Sequence, residues 1–251
     1  MKPVYIVSWL FALAVSFVSC DDWLDKTPKD RLYPDVYFKT EDELRLFTNQ
    51  FYNNLVPSAA DIYSESSDLI VKSDLMLEMS GQRIIPDEGN GWNFTALRDI
   101  NFYLQYSHNC TEVNARNRYD GVARFFRAYF YFEKVKRYGD IPWYDKALDS
   151  DDPELYKARD SREFVMQKML EDLDFAIANL PKTKNAYILT RWTALALKSR
   201  VCLFEGTFRK YHGLEDYEKY LNACVSASET FMNESGYTLY KTGSCLLYTS
   251  P

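Results

Sequence analysis

The chain has 251 residues, of which 47% are hydrophobic and 26% charged, an ordinary globular balance long enough for one large domain or two small ones. Glycine and proline number only nine each, which excludes long low-complexity linkers, and 30 basic against 36 acidic residues give a net charge of −6, which argues against a nucleic-acid binder. The 20 Tyr, 16 Phe and 5 Trp are more than decoration: some must pack a core, and enough remain for a stacking surface.

The first element is a targeting segment. Lys2 supplies a short positive region, and Val4 to Val18 is an apolar run broken only by Ser8 and Ser16. Such a run is shorter than the ~20 residues a comfortable membrane span needs, so residues 1–19 read as a cleaved signal peptide. Phe17-Val18-Ser19-Cys20 followed by Asp21-Asp22 resembles a bacterial lipobox, in which Cys20 becomes the lipidated N-terminus of the mature protein. Removing residues 1–19 takes away only Lys2 among the charged side chains, so the mature chain carries −7. Its other cysteines, Cys110, Cys202, Cys224 and Cys245, allow three pairings, and Cys202 in its apolar helical run reads as a free buried thiol. Without a C-x-x-C pair or clustered histidines, no metal site and no cofactor are expected.

Residues 20–39 are polar and punctuated by proline, a tether between membrane and fold. Thr40 with Glu43 forms a capping box, and Leu44, Phe47, Phe51, Tyr52 and Leu55 follow at helical spacing until Pro57. Residues 58–91 are irregular and read as a long loop. Helical periodicity returns from Trp92 to about Ser107, and again from Asp120 to Tyr138, where Gly139 and Pro142 terminate it. Asp160 or Ser161 caps the next helix, which Pro181 ends. Thr190 caps another, apolar on most sides, and Asp216 to Phe231 gives one more. The last four helical segments are expected to stack as antiparallel neighbours through short connections, with small residues such as Ala128, Ala176, Ala194, Ala196, Ala223 and Ala227 letting them approach closely. The expectation is an all-α, tetratricopeptide-like helical repeat scaffold with long irregular loops.

Four stretches carry a resemblance. They are Cys20-Asp21-Asp22-Trp23-Leu24-Asp25-Lys26-Thr27-Pro28; Gly121 to Phe132 with Arg137-Tyr138-Gly139-Asp140-Ile141-Pro142; Arg159-Asp160-Ser161-Arg162-Glu163-Phe164 with Asp172-Leu173-Asp174-Phe175-Ala176 and Leu180-Pro181; and Thr190 to Gly206. In this order and spacing the chain resembles the SusD/RagB family of outer-membrane nutrient-binding lipoproteins of the Bacteroidetes. The resemblance implies a SusD-like helical domain over 40–242 and a surface-facing, lipid-anchored protein of the outer membrane. It also implies a binding role, capturing nutrients, glycans above all, for a TonB-dependent (SusC-like) transporter. Family members run to about twice this length, and residues 243–251 match nothing in the family pattern, so the chain reads as the N-terminal part with an atypical tail.

Trp92 and Asn93 beside the glycine-rich loop are the candidate ligand contacts, because sugars stack their C–H faces on flat aromatics while amides bond their hydroxyls. Asp74 and Arg83 flank the same loop and could bond hydroxyls too. Arg124 and Arg127 read as structural, pairing with acids or covering apolar surface with their stems. No catalytic residue is assigned: His108 and His212 belong to no zinc or nucleophile motif, no phosphate-binding loop occurs, and Glu171/Asp172/Asp174 and Asp149/Asp151/Asp152 read as solvated faces and turns. Binding without catalysis is therefore the expectation, with a protein-binding helical scaffold and a glycan hydrolase as alternatives. The lipobox reading predicts that Cys20→Ala abolishes metabolic lipid labelling and releases the protein from membranes; unchanged labelling would remove the anchor.

Overall fold

The computed structural model describes residues 36–56, 80–82, 84 and 91–239. The chain divides into two units at Tyr37/Phe38, and the architecture below is that of the second. Its helices are α1 (Glu41–Leu55), α2 (Thr95–Tyr106), α3 (Val113–Tyr138), α4 (Arg162–Asn179), α5 (Arg191–Tyr211) and α6 (Tyr217–Glu234), with 3₁₀ turns at Ser107–Asn109 and Pro153–Tyr156. Among the described residues there is no strand, so the unit is all-α as expected.

Capping chemistry fixes several helix ends. Glu43 N donates to Thr40 Oγ1 at 3.3 Å and Thr40 N to Glu43 Oε2 at 3.0 Å, closing the capping box of α1. Val56 is extended, with ψ at 124°, as a residue before proline must be, and α1 stops at Leu55. Of the two candidates before α4, Ser161 is the cap, accepting from Phe164 N at 3.3 Å. Asp160 instead accepts Trp143 N at 2.7 Å and pairs with Lys157. Thr190 caps α5 through a reciprocal bond with Thr193. Gly139 ends α3 at φ 71°, a conformation that only glycine adopts freely.

Two boundaries differ from the sequence reading. The helix expected from Asp120 begins at Val113, because Ala115 and Tyr119 bury against the core while the N-cap, Glu112, makes no side-chain cap bond that would announce the start. Gly121 lies inside this helix as a point of close approach: a Cβ there would meet Leu180 Cγ at 3.4 Å and Ala176 Cα at 3.7 Å. The helix expected from Trp92 begins at Thr95, leaving Trp92 and Asn93 in the approach to it.

Helix directions follow from which residues meet. Phe94 packs on Phe130 and Asn101 bonds Arg127, so α2 and α3 are antiparallel. Gly121 against Ala176 and Arg127 against Asp172 make α3 and α4 antiparallel, despite the long 139–161 connection between them. Arg162–Glu205 with Lys198–Asp174 does the same for α4 and α5. Gly206 opposite Leu221 and Ser199 opposite Ser228 complete the series with α6. A Cβ on Gly206 would sit 2.6 Å from Leu221 Cδ2, so a larger residue there would force the Leu221 side chain to move. Ala128, Ala176, Ala194 and Ala227 are buried as expected, whereas Ala196 is exposed. α1 runs parallel to α3, from Glu41 near Arg118 to Phe51 against Phe126. Between α1, α2 and α3 lies an aromatic cluster in which Phe38, Phe51, Tyr103 and Phe126 are essentially inaccessible. Cys202 is fully buried as well, and burial pushes its thiol up to about 12, far from any nucleophilic role.

The polar core corrects the reading of Asp172 as a solvated residue. It is 2% exposed and receives Arg127 Nε at 2.6 Å and Nη2 at 2.7 Å, a bidentate pair between α3 and α4. Arg127 Nη1 donates to Asn101 Oδ1 at 3.2 Å, and Asn101 Nδ2 to the carbonyls of Tyr144 at 2.8 Å and Lys146 at 3.2 Å. Arg124 lies 3.8 Å from the same carboxylate with its guanidinium over the Phe175 ring at 4.1 Å. Burial works against the charge of Arg127, but the hydrogen bonds and charge of Asp172 outweigh it and hold the guanidinium above its ordinary pKa. A second network ties Arg162, Glu205, Arg209 and Glu163 across α4 and α5, with Tyr220 of α6 donating to Glu163 at 3.2 Å. Removing one partner of a buried pair strands the other, at a cost of about 3–5 kcal/mol. Asp172→Ala should lose that much in denaturant unfolding, whereas Glu171→Ala, one residue away and exposed, should change stability by less than about 0.5 kcal/mol.

Candidate ligand-binding site

The segment 91–94 enters α2 at one end of the helix stack. Gly91 has φ 85°, and its carbonyl accepts from Lys134 Nζ on α3. Asn93 Oδ1 accepts the backbone N–H of Thr95 at 2.8 Å. Helix α2 has no side-chain cap at Phe94, so this bond from one residue further back does that work. Trp92, 40% exposed, stands edge-on to Phe94 with centroids 5.3 Å apart and to Tyr138 at 4.9 Å. The guanidinium of Arg159 lies over its ring, 5.0 Å from the centroid.

Behind Trp92 a cleft of about 340 Å³ opens between α2 and the 144–155 segment, walled by Trp92, Phe94, Tyr144, Leu155, Arg98 and Lys146. Tyr144 is held on both sides: its N–H donates to Tyr131 Oη at 2.7 Å, and its carbonyl receives Asn101. Tyr131 in turn stacks on Trp143 at 4.3 Å. Burial, with the charges of Asp160 and Glu154, raises the Tyr144 phenol, which stays a neutral hydroxyl at physiological pH. Arg98 Nε donates to Leu148 O at 3.2 Å, and Lys146 pairs with Glu154 at 3.0 Å. Flat aromatic surface with hydroxyl, guanidinium and ammonium donors around it can stack a sugar ring and bond its hydroxyls.

Trp92 thus lines this cleft, whereas Asn93 is not part of its lining and has its oxygen engaged by the Thr95 N–H. Asp74, Arg83 and Cys20 lie outside the described residues. Phe94, Tyr144, Arg98, Lys146 and Arg159 around Trp92 were not singled out from sequence, and Tyr144, Lys146 and Arg159 come from the 139–161 connection, more than fifty residues further along the chain. A larger opening, about 480 Å³, lies at the other end of the stack and is lined by several asparagines. There the Asn179 amide donates to Phe175 O and the Asn185 oxygen accepts Tyr187 and Ile188 N–H, so local backbone uses them. Among the described residues, no three His, Cys, Asp or Glu side chains converge as metal ligands.

A SusD-like family model described as "Starch-binding associating with outer membrane" matches residues 48–191, more than half of the chain. The chain belongs to the SusD-like family. Among curated proteins it is similar to SusD-like protein P38 of Formosa agariphila, 23% identical over 224 residues that cover 81% of this chain and 43% of the relative. SusD-like protein P2 of the same organism is 27% identical over 79% of this chain and 43% of its own length. Among solved structures, a SusD-like protein from Bacteroides fragilis superposes with a TM-score of 0.61 at 22% identity, covering 85% of this chain and 42% of the other. A SusD homolog from Bacteroides thetaiotaomicron does so with 0.60 at 18% identity, over 82% and 43%. The SusD-like chain therefore spans less than half the length of the relatives it matches, and its helical, tetratricopeptide-like architecture is the one they share. Within it, the capping role of Asn93 is separable from ligand contact. Asn93→Ala should cost about 1 kcal/mol in thermal unfolding, and Asn93→Asp, which keeps the accepting oxygen, only a few tenths; equal losses would refute the cap.

Proposed function

We propose that this SusD-like chain is part of a cell-surface lipoprotein that binds glycans and passes them to a TonB-dependent transporter of the outer membrane, without catalysing a reaction on them. The observation that carries the reading is the aromatic cleft at Trp92, set in a family described as starch-binding and outer-membrane-associated. A SusD-like carbohydrate binding protein from Bacteroides vulgatus superposes on 80% of the chain with a TM-score of 0.55 and supports the same direction. No helix among the described residues is long and apolar enough to cross a membrane, and acyl chains on Cys20, each worth ~0.8 kcal/mol per buried CH₂, would hold the protein at the surface. Glu171/Asp172/Asp174, an acidic run that could suggest a glycosidase, is occupied otherwise. Asp172 is locked by Arg127, Glu171 pairs with Lys168, and Asp174 pairs with Lys198.

Electrophoresis through gels containing polysaccharides tests the reading. Retardation by a glycan gel is expected, with no reducing sugar released. Trp92→Ala should weaken retardation about fivefold, corresponding to the ~1 kcal/mol of one lost aromatic contact, and lower Tm by no more than about 2–4 °C. A large fall in Tm with unchanged retardation would instead assign Trp92 to the core. Released reducing ends would indicate hydrolysis, and retardation by no glycan would favour the protein-scaffold alternative.

A further inference from the structure

We infer that the Trp92 cleft selects acidic glycans, in which a carboxylate or sulfate group meets Arg159 while the sugar ring packs at the indole. The inference rests on the glycan-binding reading above and adds the charge of the ligand. It starts from an asymmetry: the chain as a whole is acidic, at −6, yet among the described residues the lining of this cleft contains Arg98 and Lys146 and no carboxylate.

Arg159 carries most of the argument. It is exposed, its guanidinium sits 5.0 Å from the Trp92 centroid, and among the described residues no carboxylate pairs with it. Its sequence neighbour Asp160 could have neutralised it, but that carboxylate faces the other way, onto Trp143 N and Lys157. More positive charge stands on the same side. Arg137 lies over Tyr138, which is edge-on to Trp92, and its Nη1 is 3.7 Å from where a Cβ on Gly91 would be. Lys134 reaches the Gly91 carbonyl.

At the rim, Asp149 stands 3.9 Å from Arg98, and Asp152 and Glu154 lie within reach of Lys146. These acids pair with the cations of the far wall, whereas among the described residues no carboxylate pairs with Arg159 at the Trp92 end. A guanidinium held beside an aromatic face offers an anionic sugar two forked N–H donors next to a stacking surface. A neutral sugar at the same place would use the indole and leave the charge unanswered.

Carboxylate and sulfate share this chemistry, and the test separates them. The mature protein is run through native gels containing polygalacturonate, dextran sulfate, starch or xylan, at low salt and at high salt. The expected result is stronger retardation by at least one polyanion than by starch or xylan, diminished as salt screens the contact. Arg159→Gln should weaken it about tenfold, the loss of one charge-assisted contact, and Trp92→Ala should weaken it too. Retardation by polygalacturonate alone assigns a carboxylate, by dextran sulfate alone a sulfate ester, and by both the shared anion. Equal or stronger retardation by starch or xylan, insensitive to Arg159→Gln, overturns the acidic preference and leaves glycan binding standing. Polyanion retardation untouched by both Arg159→Gln and Trp92→Ala is adsorption elsewhere and also overturns it. Retardation by none of the four overturns this inference and counts against glycan binding itself. Arg159 is exposed, so matching melting curves for its variant keep any change attributable to the contact.

Discussion

A charged guanidinium buried among aromatic rings sets the terms for this fold. Arg127 is about as inaccessible as the apolar residues around it, and only the bidentate grip of Asp172 makes that tolerable. Each remaining donor then needs a partner with a defined position. Asn101 supplies one, and its own amide must find acceptors, which are the carbonyls of Tyr144 and Lys146. One ionic contact therefore registers α2, α3, α4 and the start of the 139–161 connection against each other. Apolar packing alone would tolerate sliding among these helices, since Leu, Ile and Phe contacts are non-directional. A fork of N–H groups on a carboxylate is not.

The candidate site inherits that geometry. Tyr144 forms one wall of the cleft and is pinned through Asn101 and through the Tyr131 hydroxyl, which itself accepts the Tyr144 N–H. Trp143, next to it, stacks on Tyr131 and lies beneath the Arg127 guanidinium at 5.2 Å. Phe94 bridges this wall to Trp92, touching Tyr144 at 5.8 Å and Trp92 at 5.3 Å. The aromatic groups that would meet a sugar are thus few bonds and contacts away from the buried ion pair, on non-helical segments that side-chain hydrogen bonds and ring contacts tie to α2 and α3. The Arg162–Glu205–Arg209 network plays the corresponding part for α4, α5 and α6, away from the cleft.

What the sequence made legible was local. Thr40 with Glu43 and Thr190 announce helix starts because their oxygens accept N–H groups two or three residues on, and Pro57, Gly139 and Pro181 announce ends because backbone geometry leaves no choice. Trp92 stood out as a bulky aromatic in a polar, glycine-rich stretch. What was illegible depended on contacts between distant segments. Asp172 sits in an acidic run that looks solvated, and only Arg127, 45 positions earlier, makes it a core residue. Gly121 looks like a helix boundary until α4 is seen to cross it. Arg159 belonged to a family-like stretch but could not be placed over Trp92 before the 139–161 connection was folded back.

The claim that the ion pair positions the cleft is open to a direct test that does not depend on knowing the ligand. Replacing both partners, as Arg127→Met with Asp172→Leu, removes the charges together and leaves an apolar contact of similar volume, a change that buried pairs often tolerate without loss of stability. Hydrogen exchange of the amides from Trp143 to Leu148, followed in this double variant, is the measurement. The account predicts a folded helical protein in which Tyr144 and its neighbours exchange markedly faster while α5 and α6 keep their protection. Unchanged protection across 143–148 in a folded double variant would contradict it, and would mean that packing alone holds the wall of the cleft.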